Sequence, residues 1–221
     1  MNQPLPTSAD VIALHDGLLS TAGWPQTEPA PRDEGLWTWI QTNHRFNCRL
    51  WAEEDLARRT TVGAEDIAAN KRAIDGFNQA RNDATERVDE ILLTALGLVD
   101  AASARTNAPV STVPAGARLN SETAGSIIDR MSIMALKVHA MRAQTLRSDV
   151  DAEHIASSQE KLARLQAQRA DLGGCLDALI ADAQAGRAYF KVYRQFKMYN
   201  DPRFNPELVK EAQQQHQQKA R

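Results

Sequence analysis

The first residues in this chain that could do chemistry are acids on two neighbouring helical runs. Glu53-Glu54-Asp55 stand near the end of a run from about Leu36 to Arg59, and Glu86 and Asp89 stand one turn apart on the run from Ala64 to Gly97. Only the turn at residues 61–64 separates the two, so the helices pair as antiparallel neighbours and their polar rows can meet. Mg²⁺ and Mn²⁺ are hard ions that want several oxygens, and Glu54, Glu86 and Asp89 are the carboxylates that would supply them. The same acids have ordinary partners four residues away: Glu54 with Arg58, Asp55 with Arg59 and Asp83 with Arg87. Exposed pairs of that kind contribute about 0.3–0.5 kcal/mol each and imply no function.

A Glu-Glu pair on one helix followed by Glu86 and Asp89 as an ExxD pair on the next resembles the all-α nucleoside triphosphate pyrophosphohydrolases of the MazG kind. That resemblance implies metal-dependent nucleotide hydrolysis. It departs at Ala57, where those enzymes carry a further acid.

A second set mixes His44, Asn47 and Trp51 on the first of these helices with Asn78, Arg81 and Asn82 on the second. Lys71 and Asp75 extend the row. Amides and guanidinium offer directional hydrogen bonds and Trp51 a stacking face, which suits a sugar or a phosphate-bearing ligand. Hydrogen bonding between the helices is the alternative use of the same residues. Mid-helix asparagine is unfavourable by propensity, which draws attention to Asn78 and Asn82. A third set, Asn120-Ser121-Glu122-Thr123-Ala124-Gly125-Ser126, opens another helix and is followed by Asp129, Arg130 and Lys137. Open amides at a helix start bind anions, with Arg130 or Lys137 as phosphate partners, whereas Ser121 or Thr123 can equally cap the helix. Finally, Tyr189, Tyr193, Phe196 and Tyr199 interleave with Lys191, Arg194 and Lys197. Such interleaving can bind nucleic acid. A net charge of −2 gives no general footprint for it, and docking of a last helix on the bundle is the more economical reading.

The elements that would hold these residues are helical. The stripe Ile67, Ile74, Phe77, Ala84, Val88, Ile91, Leu92 and Ala95 recurs at helical spacing, as do Ile127, Met131, Met134, Val138 and Met141 in a run over 121–148. A further run over 149–185 carries Ile155, Leu162, Leu165, Leu172, Leu176, Leu179 and Ile180, weakened in the middle by Gly173-Gly174. Residues 9–21, with Ser8 as cap, form a short helix. The expected fold is an all-α, elongated bundle of about four long, mostly antiparallel helices with short terminal helices. Residues 1–35 hold the short helix and a Pro-rich loop that Trp24 anchors, and residues 36–200 form the bundle, with an irregular crossover at about 103–120 that is either a lid or a plain connection. Residues 201–221 make a polar tail expected to be disordered.

Of the chain's 221 residues, 43% are hydrophobic and 24% charged, an ordinary globular balance. No apolar run approaches the ~20 residues of a membrane span, and MNQPLPTSAD lacks a signal-peptide pattern, so a cytoplasmic location is expected. Cys48 and Cys175 have no metal or disulfide spacing and read as buried small hydrophobes. Apolar faces on such long helices make a homodimer a further expectation.

Three stretches together carry a wider resemblance. They are Leu50-Trp51-Ala52-Glu53-Glu54-Asp55-Leu56-Ala57-Arg58-Arg59 continuing into Asn70 to Asp83; Asn120 to Ile133; and Gln195-Phe196-Lys197-Met198-Tyr199-Asn200-Asp201-Pro202. In these the chain, from about Trp37 to Leu208, resembles a bacterial domain-of-unknown-function family, number 4254, with Ala124 where that family has proline. The resemblance implies a bacterial, helical protein of unassigned activity, in the neighbourhood of surface-glycan assembly. A phosphorylated sugar or nucleotide at an interhelical site is the ligand that context implies. A scaffold whose polar rows only specify helix packing is the competing expectation.

Overall fold

In the computed structural model, which describes residues 4–27, 30, 32, 35–195 and 201–219, the chain is built almost wholly of helices. The elements are α1 (Ser8–Leu19), α2 (Leu36–Leu56), α3 (Ala64–Ala95), β1 (Arg118–Leu119), α4 (Ala124–Thr145), α5 (Ala152–Gln184), β2 (Ala188–Tyr189) and α6 (Pro206–Lys219). Four long helices form two hairpins, α2 with α3 and α4 with α5, and each helix stops where its backbone donors and acceptors find another partner. Asp66 accepts from the Gly63 amide at the start of α3, Thr123 from Ser126 at the start of α4, and Asp151 from His154 at the start of α5. Thr7, not Ser8, caps α1, in a reciprocal pair with Asp10. Gly97 and Gly186 follow α3 and α5 with φ of 68°, the left-handed turn that glycine adopts without penalty.

The core lies where the two hairpins meet. Ile40 of α2, Val88, Leu92 and Leu93 of α3, Ile127, Ile128 and Met131 of α4 and Leu176, Leu179 and Ile180 of α5 form one buried cluster, joined by Phe190. Helix α1 lies against α4 and α5. Asp177 of α5 takes the Ser8 amide at 2.7 Å and its hydroxyl at 2.6 Å, and Arg169 of α5 grips Asp16 at 2.8 Å. Gly173 does not break α5: a Cβ there would stand 3.1 Å from Ser8 Cβ, so the glycine lets α1 approach closely. Trp24 ties the preceding loop to α2 by donating to Cys48 Sγ at 3.2 Å.

The crossover from α3 to α4 is a packed connection. Val99 and Ser111 pair across an antiparallel bridge, Ala104 is buried, and β1 pairs in parallel with β2. Residues 188–195, expected within a last helix, are strand and extended backbone, since they are committed to β1 and the crossover. Residues 206–219 of the expected polar tail form helix α6, with Pro206 first, Glu207 in its opening turn and the Glu207 amide bonded to Asn205 Oδ1 at 3.0 Å. Phe196 to Asn200, including the aromatic positions Phe196 and Tyr199, lie outside the described residues, as does part of the Pro-rich loop. Cys48 is buried, but Cys175 is exposed, because it faces away from the stripe that α5 buries. Among the described residues no helix is long and apolar enough to cross a membrane.

Candidate functional site

Between α2, α3 and α4 runs a seam of polar side chains. Asn43 and Asn47, one turn apart on α2, both donate to Asp129 Oδ1 of α4, at 2.8 Å and 2.9 Å. Asn43 also donates to Thr85 Oγ1 of α3 at 3.1 Å, and Asn47 lies within 3.0 Å of Ser132 Oγ and 3.2 Å of Asn43 Oδ1. Both asparagines, His44 and Ser132 are almost fully buried. Buried polar groups are costly unless satisfied, and here they satisfy one another across three helices.

Arg81 of α3 meets this seam from the other side. Its Nε is 3.9 Å from Asp129 Oδ1 and is buried without a hydrogen-bond partner among the described residues, while its Nη2 donates to Asn82 Oδ1 at 3.1 Å. Asp129 thus lies between two amides and a guanidinium, with a side chain only 17% exposed. Outward from Arg81 opens a groove of about 320 Å³, lined by Asn47, Trp51, Glu54, Arg58, Asn78 and Arg81 together with Leu50, Asp55, Ile133 and Leu136. Trp51 stands at its rim, 37% exposed, and Glu54 and Arg58 pair at 3.1 Å. Amides and a guanidinium bind oxygen-rich groups, an indole face stacks on a sugar ring, and the carboxylates accept hydroxyl hydrogens.

The other expected residues go elsewhere. His44 is sealed in the core with its Nδ1 2.7 Å from Ser132 Oγ, and its ring stacks on His15 of α1 at 4.4 Å between centroids. Burial, with Arg169 nearby, lowers His44 to about 3 and leaves His15 well below its ordinary range, and burial pushes the Cys48 thiol up to about 11. These groups are neutral packing elements, not a nucleophile and its base. Lys71 and Asp75 form an exposed pair one turn apart at 2.5 Å. Arg130 pairs with Glu122 at 2.6 Å and, with Lys137, lines a different groove between α4 and α5, about 680 Å³ and bordered by Gln168, Asp171 and Cys175. Successive residues on a helix turn by about 100°, so Arg130 points away from its neighbour Asp129, and the single convergent site expected from the sequence is divided by α4.

The carboxylate set is dispersed too. Glu86 bonds Arg194 at 2.8 Å, and Arg87 pairs with Glu90 in place of the expected Asp83. Asp89 is wholly buried and accepts from the Gly125 amide at 2.7 Å, in the first turn of α4. The anion-binding helix start proposed around Ser126 is therefore occupied by the protein's own carboxylate, while Ser126 itself is bonded to Thr123. A Cβ on Gly125 would lie 2.7 Å from Thr85 O and 2.9 Å from Asp89, so the contact requires glycine. Burial pushes Asp89 up to about 7, against hydrogen bonds from Thr123 and Gly125, with Glu86 and Glu90 adding to the rise. Among the described residues no three His, Cys, Asp or Glu side chains are grouped to hold a metal ion, and Glu54, Glu86 and Asp89 each have a different neighbour. The MazG-like ligand set is not assembled.

Sequence reasoning missed Asn43 and Thr85 and placed Arg194 in a basic-aromatic row rather than against Glu86 and Glu90. The Asn43/Asn47 pair at i,i+4 was readable, because two mid-helix asparagines one turn apart share a face. Nothing local marks Arg194, whose partners Glu86 and Glu90 lie more than a hundred residues earlier.

Fold and site define an all-α bundle whose two helical hairpins meet along a polar seam that opens into a groove. Residues 37–192 match the family described as Protein of unknown function (DUF4254), and the chain belongs to that family. No curated protein and no solved structure matches the chain.

Proposed function

We propose that the groove between α2, α3 and α4 binds a small phosphorylated sugar. The observation that carries this reading is Arg81. Among the described residues its buried Nε has no hydrogen-bond partner, and its side chain, 25% exposed, lines a groove together with Trp51, Asn47 and Asn78. A guanidinium suits a phosphate oxygen, the indole suits a sugar face and the amides suit hydroxyls. About 320 Å³ lies at the small end of ligand pockets, which favours one sugar ring with its phosphate over a nucleotide. Such ligands are cytoplasmic metabolites, in keeping with a cytoplasmic bacterial protein acting in surface-glycan metabolism.

The test is a thermal-shift and calorimetric screen of hexose phosphates, free hexoses, inorganic phosphate and nucleotides, each with and without Mg²⁺. Binding to the native state alone adds about 2.7 kcal/mol of stability at a hundredfold excess over Kd. A hexose phosphate should stabilise the wild type, and Arg81→Ala should weaken that binding about 30-fold, the loss of a charge-assisted hydrogen bond. Equal binding by Arg81→Ala and the wild type would remove the groove from consideration.

A second reading is supported by the inner seam. Asn43, Asn47, Ser132 and Asp129 bond mainly to one another and specify how the hairpins register, which is the scaffold role. The two roles are compatible, since the seam that fixes register also backs the groove.

A further inference from the structure

The extended segment after β2 is fastened to α3 by two successive residues. Arg194, 13% exposed, bonds Glu86 Oε2 at 2.8 Å and Glu90 Oε1 at 2.6 Å, and donates to the carbonyls of Ala104 at 2.7 Å and Thr106 at 3.0 Å. It therefore joins α3, the crossover and the C-terminal strap at one point. The next residue continues the line: the Gln195 amide donates to Glu86 Oε1 at 3.1 Å, and its side-chain Oε1 accepts from Asn82 Nδ2 at 2.8 Å.

Asn82 is held from both sides, and Arg81 sets which way its amide points. Arg81 is a donor only, so Asn82 must present its oxygen to Arg81 Nη2 and its amino group to Gln195. Among the described residues Asn82 is the one acceptor within hydrogen-bond distance of the Arg81 guanidinium, because Asp129 stays 3.9 Å from Nε. Arg81 is steered by the Asp129 charge but held by Asn82. We propose that Arg194 and Gln195 are positioning residues for the groove: the latched strap holds Asn82, and Asn82 fixes the Arg81 guanidinium in the groove. The consequence for ligand binding rests on the groove being the phosphate site; the relay itself does not.

The test uses the full chain with ¹⁵N-labelled arginine, and Arg81→Lys identifies the Arg81 Nε–H signal by its loss. Gln195→Ala keeps the Arg194 clasp and cuts only the bond to Asn82, while Arg194→Gln cuts the clasp. In Gln195→Ala, exchange of the Arg81 Nε–H with water should accelerate about tenfold, and affinity for glucose 1-phosphate should fall about fivefold, the scale of one hydrogen bond. Arg194→Gln should do at least as much where it folds by circular dichroism, and Gln195→Ala decides alone where it does not. An Arg81 exchange rate in Gln195→Ala equal to that of the wild type overturns the relay. Accelerated exchange in a protein whose wild type binds no phosphate compound upholds the relay and sinks the phosphate reading instead.

Discussion

The two grooves beside α4 share a helix and differ in what stands behind them. The one toward α5 is larger, about 680 Å³ against about 320 Å³, and is lined by two exposed cations, Arg130 and Lys137. Yet Arg130 there is 56% exposed and pairs with Glu122, while Lys137 is exposed as well. In the groove toward α2 and α3, Arg81 is 25% exposed, and Asp129, 17% exposed, backs it together with a buried set of amides and a hydroxyl. A flexible surface cation loses rotamer freedom when it binds, and a pre-held one loses less. Volume alone favours the α5 side of α4. The supporting polar residues point to the other.

The most damaging way to break this contrast is Asp129→Ala. It leaves the Asn43 and Asn47 donors without their shared acceptor and Arg81 without its countercharge, so stability should fall by about 3 kcal/mol in urea unfolding, with loss of hexose-phosphate binding. A smaller effect is expected at Asp89, which sits between the hairpins but outside both grooves. Its folded pKa, about 7, is raised above the ordinary 3.8, so the folded state binds more protons than the unfolded one between those values. That contribution is fully present below the unfolded pKa and is lost as pH rises toward 7. His15 and His44 act in the opposite sense: lowered when folded, they cost stability as pH falls below 6.5. The wild type therefore sums opposing slopes, and Asp89→Asn should make the loss of stability from pH 6 to pH 4.5 steeper by about 1.4 kcal/mol per pH unit in urea melts. The smallest effects belong to the outer groove. Arg130→Ala and Lys137→Ala should each change stability by no more than about 0.5 kcal/mol and leave hexose-phosphate affinity at its wild-type value in calorimetry. A large loss of affinity from either would reverse the assignment of the two grooves.

The helical architecture was readable because it rests on local signals: the stripes of α3, α4 and α5, the cap at Thr123, and the short turns between paired helices. The half of the groove supplied by α2 and α3 was readable for the same reason. A short hairpin places Asn47, Trp51 and Glu54 opposite Asn78 and Arg81 with little freedom. The contribution of α4 was not, because a long crossover separates α3 from α4 and nothing local sets the rotation of α4 about its axis. Asp129 and Arg130 are adjacent in sequence and serve opposite grooves. Asp89 reads locally as a member of an acidic row, and only the distant Gly125 amide reveals it as the partner of a helix start. The tail misled by composition: its glutamines and charges resemble a disordered segment, yet Pro206 and Glu207 begin a helix.

Arg81 faces Asp129 and Asp89 faces Gly125, so α3 and α4 run antiparallel and are pinned at two points. Evolution by insertion and deletion meets those pins unequally. One residue added between Arg81 and Asp89 would rotate one pin by about 100° relative to the other, and the two could no longer close together. Length changes in the exposed part of the crossover, around residues 115–116, leave both pins in register. Within this family the chain should therefore vary in length at the crossover while holding a fixed spacing across the middle of α3.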